Sequence, residues 1–192
     1  MENKMDNNIL SKTTELAKAI CEKYADKTKT AIDATCGKGN DTIWLAERFG
    51  KVYAFDIQQS ATEVTGRLVE SSGFDNVTVI NDGHEKMAEY VPERVGLVMF
   101  NLGYLPGGDK NVVTERTTTL EAIEAALSLL EKDGLVCITM YPGHPQGAAE
   151  RKAVLEVAAS LDKGRYHCIR TDMVNQPHTA PEILFITLKV GQ

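Results

Sequence analysis

The sequence predicts an α/β fold: a seven-stranded, mostly parallel sheet with helices on both faces and a C-terminal antiparallel β-hairpin. Three observations carry this prediction. From Thr30 to Leu161, short apolar and β-branched runs alternate with runs that repeat apolar residues at helical spacing. The last two strand-like runs are joined by "DMVNQPHTAPE", which contains no helix-like segment. Strands joined without a long crossover pair antiparallel. Finally, a glycine-bearing loop, "CGKGN", follows the first strand and precedes a helix, the place where doubly wound sheets bind ligands.

The elements follow in order. Residues 9–24 place Leu16, Ile20 and Tyr24 on one helical stripe, predicting an opening helix. Thr30–Ala34 reads as the first strand and Asp41–Phe49 as a helix. Val52–Phe55 and Asn76–Ile80 read as strands flanking a helix over Ser60–Ser71. His84–Tyr90 reads as a short helix and Val95–Phe100 as the fourth strand. After the polar stretch "NLGYLPGGDKNVVTER", Thr118 and Glu121 form a capping box for a helix with the stripe Leu120, Ile123, Leu127 and Leu130. Asp133-Gly134 turns the chain into a strand at Leu135–Met140, and Pro145 opens the next helix, with Val154, Val157, Ala158 and Leu161 on its stripe. Strands near Tyr166–Thr171 and Ile183–Val190 finish the chain.

At 192 residues, 43% hydrophobic and 25% charged, the composition is that of one globular domain spanning 1–192. The longest apolar runs are of strand length, predicting no membrane span, and the polar N-terminus does not read as a secretory signal. Cys21, Cys36, Cys137 and Cys168 have no metal-ligand or disulfide-scaffold spacing, so a reducing cytoplasm is the expected setting. "HEKMA" at His84–Ala88 lacks the second histidine of a zinc motif, and no metal is expected. The net charge of −6 is uneven: residues 31–130 hold 15 acids against 8 bases, residues 131–192 hold 7 of each. This is not the balance of a strong nucleic-acid binder, although Arg151, Lys152, Lys163, Arg165 and Arg170 cluster late in the chain.

Every strand end carries polar or glycine residues. Asp33 and then Cys36-Gly37-Lys38-Gly39-Asn40 follow the first strand, Asp56 ends the second, and Asp82-Gly83-His84 follow the third. Asn101-Leu102-Gly103-Tyr104 follow the fourth, and Tyr141-Pro142-Gly143-His144 the fifth. Gly37 and Gly39 let backbone approach a ligand, the helix beginning near Asn40 offers free N–H groups, and Asp56 stands where an acid binds ribose hydroxyls. NAD and adenosylmethionine enzymes share that acid. Two residues tilt the reading toward adenosylmethionine. Thr42 replaces the third glycine of a dinucleotide fingerprint, and Asp33 would repel a pyrophosphate but attract an ammonium.

"AIDATCGKGNDT" followed by "VYAFDIQ" resembles the first two motifs of Rossmann-like class I S-adenosylmethionine-dependent methyltransferases. "NLGYLPGGDK", "TTTLEAIEAALSLL" and "YPGHPQGAAE" more narrowly resemble the small bacterial YtqB/MnmM-type tRNA methyltransferases, also labelled rRNA methylases. Thr35 departs from the general pattern, where glycine is common. The resemblance implies S-adenosylmethionine as cofactor and a tRNA anticodon region as partner. The implied reaction methylates the amine of wobble 5-aminomethyl-2-thiouridine to the 5-methylaminomethyl form.

It implies that Gly37 and Gly39 pack beside the methionine and sugar, that Asp33 helps hold the ammonium, and that Asp56 accepts the ribose hydroxyls. Asp82 would accept from the adenine amino group, with Gly83 giving room. Cys36, Asn40, Asp41, Ile57, Gln58, His84 and Asn101 complete the implied cofactor site.

Methyl transfer from a sulfonium is an in-line displacement, so the protein's task is to aim the acceptor lone pair. Asn101 and Tyr104 stand where amine methylases carry an amide that accepts the amine hydrogens and an aromatic ring that stacks on a base. His144 is the candidate proton acceptor, with Tyr141 able to hold the base or end the strand. A 5-methylcytosine mechanism would need a nucleophilic cysteine at the fourth or fifth strand end, where none stands. A small-molecule or rRNA N-methyltransferase, and a ligand-binding module without methylation, remain alternatives. The sparse basic surface also raises the expectation of a homodimer, two copies offering RNA a wider platform.

Overall fold

A computed structural model describes residues 10, 12–103 and 116–189. Seven strands form one sheet: β1 Thr30–Asp33, β2 Lys51–Phe55, β3 Val77–Ile80, β4 Val95–Leu102, β5 Leu130–Met140, β6 Tyr166–Thr171 and β7 Glu182–Leu188. Their order is β3-β2-β1-β4-β5-β7-β6. β1 to β5 pair parallel, and β7 runs antiparallel to both β5 and β6. The helix-free connection thus forces the hairpin expected, and β7 inserts between β5 and β6.

The period-2 alternation of strands sorts the core into two layers. Ile32, Phe55, Val98, Phe100, Ile138 and Leu184 face one layer. It is covered by α4 Met87–Tyr90, α5 Arg116–Leu129 and α6 Pro145–Ser160. Ala31, Val52, Leu97, Met99, Cys137 and Phe185 face the other, covered by α1 Thr13–Cys21 and α2 Asn40–Ala46. α3 Gln59–Ser71 lies beside α2 and β3. The opening helix is shorter than the stripe implied: it gives way to a 3-10 turn at Glu22–Tyr24.

Two local expectations are corrected. α5 starts at Arg116, so Thr118 lies inside the helix rather than capping it. Its neighbour Thr119 faces inward and donates a 2.6 Å hydrogen bond to the buried Glu150 of α6. Leu130 also leaves the predicted helical stripe. It pairs with Val95 as the first residue of β5, and the chain bulges before rejoining β4 at Leu135. Asp133, not Gly134, takes the left-handed conformation, with φ 64°. Gly134 is required by space instead: a Cβ there would stand 2.7 Å from the Leu130 side chain.

The late basic residues divide between the two ends of the sheet. Arg151 makes a two-point contact with Glu182, at 2.9 and 2.8 Å, at the strand end where β7 begins. Arg170 meets Asp172 at 3.1 Å at that same end. Arg165 lies at the opposite end, against the Tyr166 ring. The cluster expected from sequence is therefore not one patch.

The Glu182 side chain is only 7% exposed, so Arg151 neutralises an otherwise enclosed carboxylate. Arg151→Met should lower the unfolding free energy by about 2 kcal/mol. Adding Glu182→Gln should recover part of that loss in urea denaturation.

Candidate active site

The parallel strands end along one edge, and alternation aims their last residues. Asp33 follows Ala31, and Asn101 follows Leu97 and Met99, so both point into the layer covered by α1 and α2. The loop between β1 and α2 is wound around Asp33, which is wholly buried. One carboxylate oxygen accepts from the Thr35 N–H at 3.2 Å, the other from the Thr42 hydroxyl at 2.6 Å. Burial pushes the Asp33 carboxyl up to about 7. The Asp41 charge adds to the shift, the Thr42 and Thr35 hydrogen bonds oppose it, and Asp56 adds a little more.

Gly37 and Gly39 have φ of 52° and 82°, the left-handed region that glycine enters without strain. The Gly37 N–H donates to Asp56 Oδ2 at 3.0 Å, and the Gln58 N–H donates to Oδ1 at 2.9 Å. Asp56 is thereby held rigidly across the β1 and β2 ends. Asn81 donates to the carbonyls of Asp56 and Ile57, at 2.9 and 3.1 Å, pinning the same loop from β3. Ile57 is 69% exposed, an apolar side chain left standing at the ligand edge. Cys36 is buried, its thiol pushed up mainly by burial, with the nearby Asp33 charge adding. Its N–H is tied to the Phe55 carbonyl.

At the end of β4, the Asn101 N–H donates to the Thr35 hydroxyl at 2.8 Å. The Asn101 side-chain nitrogen donates to Asp41 Oδ2 at 2.5 Å. Its side-chain oxygen is buried and has no hydrogen-bond partner among the described residues. A buried acceptor without a partner costs folding free energy unless something else supplies a donor. Tyr141 is half-buried at the β5 end, 3.6 Å from where a Cβ on Gly103 would stand. Burial, and then the Asp41 charge, raise its phenol pKa. Tyr104 lies outside the described residues.

A model of the family described as "Putative rRNA methylase" matches residues 52–187. The chain belongs to this family. It is 40% identical, over 91% of its own length and 69% of the relative's, to a chloroplastic tRNA (mnm5s2U34)-methyltransferase of Arabidopsis thaliana. Among solved structures, a "putative rRNA-methylase" from Clostridium thermocellum superposes with TM-score 0.90 at 35% identity, covering 93% of this chain and 98% of the other. A "putative methyltransferase" from Streptococcus mutans in complex with SAH superposes with TM-score 0.86 at 38% identity, covering 92% and 97%. The family member described here is an S-adenosylmethionine-dependent methyltransferase with the Rossmann-like class I fold expected from its sequence.

The donor set at the strand ends fits that cofactor. Asp56 is fixed with its carboxylate beside the Gly37 backbone, and Asp33, Asp41 and Asp56 make the surroundings acidic, which suits a cationic cofactor. The residues do not all keep the roles the resemblance implied. Asp33 is enclosed by its own loop and braces it; its oxygens are not presented to a ligand. Asp41 uses one oxygen on Asn101 and the other on Lys18 Nζ, at 2.7 Å. Asp82 accepts from Lys86 at 2.7 Å and from Tyr90 at 2.8 Å, contacts that with the Gly83 N–H lower its pKa to about 2. The room beside Gly83 is filled by the Glu85 carboxylate. His84 is buried, edge-on to Phe100, and meets the Ala34 carbonyl through Nδ1 at 3.1 Å. A carbonyl only accepts, so Nδ1 bears the proton. Burial lowers the His84 pKa and favours the neutral ring.

His144 is corrected from proton acceptor to helix cap. Its Nδ1 accepts from the Gly147 N–H at 3.1 Å, and Pro145 occupies the first turn of α6. While this cap is made, Nδ1 is not offered to an amine. The sequence reading also missed Thr35, Thr42 and Lys18. Thr35 was a departure from the glycine pattern and Thr42 a missing third glycine, yet both hydroxyls bind the loop and Asn101 together. Lys18 flanks the buried positions Ala17 and Cys21 and carries no motif signal.

Two measurements check these assignments. The folded pKa of Asp33 lies above its ordinary 3.8, so its contribution to stability is complete below about pH 4 and is lost as pH rises through about 7. Asp33→Asn, which still accepts from Thr42, should gain on the wild type by on the order of 1 kcal/mol per pH unit across that window, read by urea melts. His144→Asn preserves a capping side chain without a base. It should keep turnover within a few-fold, whereas His144→Ala should lose about 1 kcal/mol of stability. Loss of turnover in His144→Asn would restore the proton-acceptor role.

Proposed function

We propose that this methyltransferase N-methylates the primary amine of wobble 5-aminomethyl-2-thiouridine in tRNA, giving the 5-methylaminomethyl form. The observation that carries the reading is the buried side-chain oxygen of Asn101, unpartnered among the described residues, with its amide nitrogen turned away to Asp41. An amine is the acceptor class that needs such an oxygen. Accepting one amine N–H orients the nitrogen, and its lone pair then points along the line of displacement. Support for a tRNA wobble uridine comes from the relative named for that nucleoside, together with the strand-four and strand-five stretches that resemble the same group.

The cofactor supplies an electrophilic methyl on sulfur. Asn101 holds the neutral amine; attack forms an N–C bond, the S–C bond breaks, and the product is a secondary ammonium. The proton of the resting alkylammonium leaves to solvent before binding, so no buried base is required. Asn101 Oδ1 accepts an N–H from either form, but only the neutral amine carries the lone pair that attacks the methyl group.

Asn101→Ala should bind S-adenosylhomocysteine with unchanged affinity in calorimetry and lose turnover by about a hundredfold or more, the scale for removing a transition-state contact. Mass spectrometry of tRNA nucleosides from cells lacking the protein should show accumulated 5-aminomethyl-2-thiouridine. Unchanged wobble nucleosides would reject the substrate, and a missing rRNA methyl group in the same cells would move the assignment to rRNA.

The homodimer expectation belongs to the same reading. The described basic residues fall at both ends of the sheet, and a second copy would widen the surface offered to an anticodon stem. Sedimentation at micromolar concentration tests it, and a monomer would reject it.

A further inference from the structure

Asn101 owes its orientation to residues outside the catalytic loop. A primary amide can sit either way round, and with its NH2 toward the acceptor it would repel the amine hydrogens rather than accept one. What selects the productive orientation is Asp41: a carboxylate only accepts, so it takes the NH2 side of Asn101 at 2.5 Å. Asp41 is itself gripped by Lys18 of α1, at 2.7 Å on its other oxygen. The Lys18 and Asp41 side chains are 21% and 17% exposed, shielded enough that the ammonium holds the carboxylate in place. Asp41 stands in the first turn of α2, and α1 packs on β5 and β7, so three separate elements meet at this one chain of contacts.

We propose that Lys18 is a positioning residue for methyl transfer. Through Asp41 it fixes the Asn101 amide with its oxygen toward the acceptor amine. This rests on the amine-methylation reading above, and Lys18 lies N-terminal to the residues matched by the family model. The contacts form a directed series: the ammonium donates to Asp41, Asp41 accepts from the amide NH2, and the amide oxygen is left for the substrate. Removing Lys18 leaves Asp41 free to turn toward solvent. The Asn101 amide then samples both orientations, and only one is productive.

The test uses the full chain with tRNA from cells that lack the protein. At a temperature where the variant remains fully folded, Lys18→Met should lower kcat by about tenfold or more, with KM for tRNA and affinity for S-adenosylhomocysteine unchanged. Lys18→Arg, which keeps a cation at the same place, should restore most of the rate. In an Asp41→Leu background, Lys18→Met should cause no further loss, because the link is already cut. Wild-type kcat in Lys18→Met would overturn the proposal. So would a loss that follows melting temperature or cofactor affinity, a loss that Lys18→Arg does not recover, or an additive loss in the Asp41→Leu background. If the wild type itself fails to methylate this tRNA, the amine reading falls first. If the wild type works and Lys18→Met works equally well, the positioning role alone falls.

Discussion

One buried carboxylate sets the geometry of the site. Asp33 has no exposure to solvent, and an enclosed carboxylate is costly unless its oxygens find donors. The loop supplies one, the Thr35 N–H, and the first turn of α2 the other, the Thr42 hydroxyl, so the chain must wrap back over the end of β1. That wrapping requires the left-handed turns at Gly37 and Gly39. It also brings the Gly37 N–H to Asp56 and the Thr35 hydroxyl to the Asn101 backbone. The ends of β1, β2 and β4 are thus registered against one another by side chains as well as by the sheet ladder.

The same arrangement is electrostatically uneasy by design of its parts. Asp33, Asp41 and Asp56 lie close enough that the charges of Asp41 and Asp56 both raise the Asp33 pKa. Lys18 relieves Asp41 and backbone N–H groups relieve Asp56, but no cation among the described residues meets Asp33. A cofactor carrying a sulfonium and an ammonium brings positive charge into this acidic setting. Binding that lowers such repulsion stabilises the folded state in proportion to affinity.

Much of this was legible in sequence, for identifiable reasons. The alternation of periods gave the layers, and the short connection after Thr171 gave the antiparallel hairpin, because both are fixed by geometry that no side-chain detail overrides. The meeting of Gly37, Gly39 and Asp56 at the β1 and β2 ends was legible because left-handed turns favour glycine and the C-terminal ends of parallel strands collect polar groups. What could not be read was which polar groups satisfy one another. Asp33 looked like a ligand group because sequence shows a carboxylate and not its enclosure by Thr35 and Thr42. His144 looked like a base because its imidazole is visible in sequence, while the Gly147 N–H that occupies Nδ1 is not. The capping box at Thr118 failed for a related reason: α5 extends N-terminally to Arg116, and its inner face is fixed by the Thr119–Glu150 contact with α6.

The basic residues of the last third illustrate why charge counting does not locate an RNA surface. Five bases within twenty residues of sequence look like a patch. Arg151 is bound on two points to Glu182, and Arg170 to Asp172, while Arg165 lies at the far end of β6 against Tyr166. An arginine already paired with a carboxylate gives up that contact when it meets a phosphate, so its contribution to RNA affinity is the difference of two similar terms. For the tRNA substrate proposed above, recognition would then draw more on shape and on base contacts than on phosphate attraction. That division suits an enzyme whose acidic cofactor pocket lies at the same sheet edge. A strongly basic rim there would hold RNA phosphates against the carboxylates that the positively charged cofactor needs.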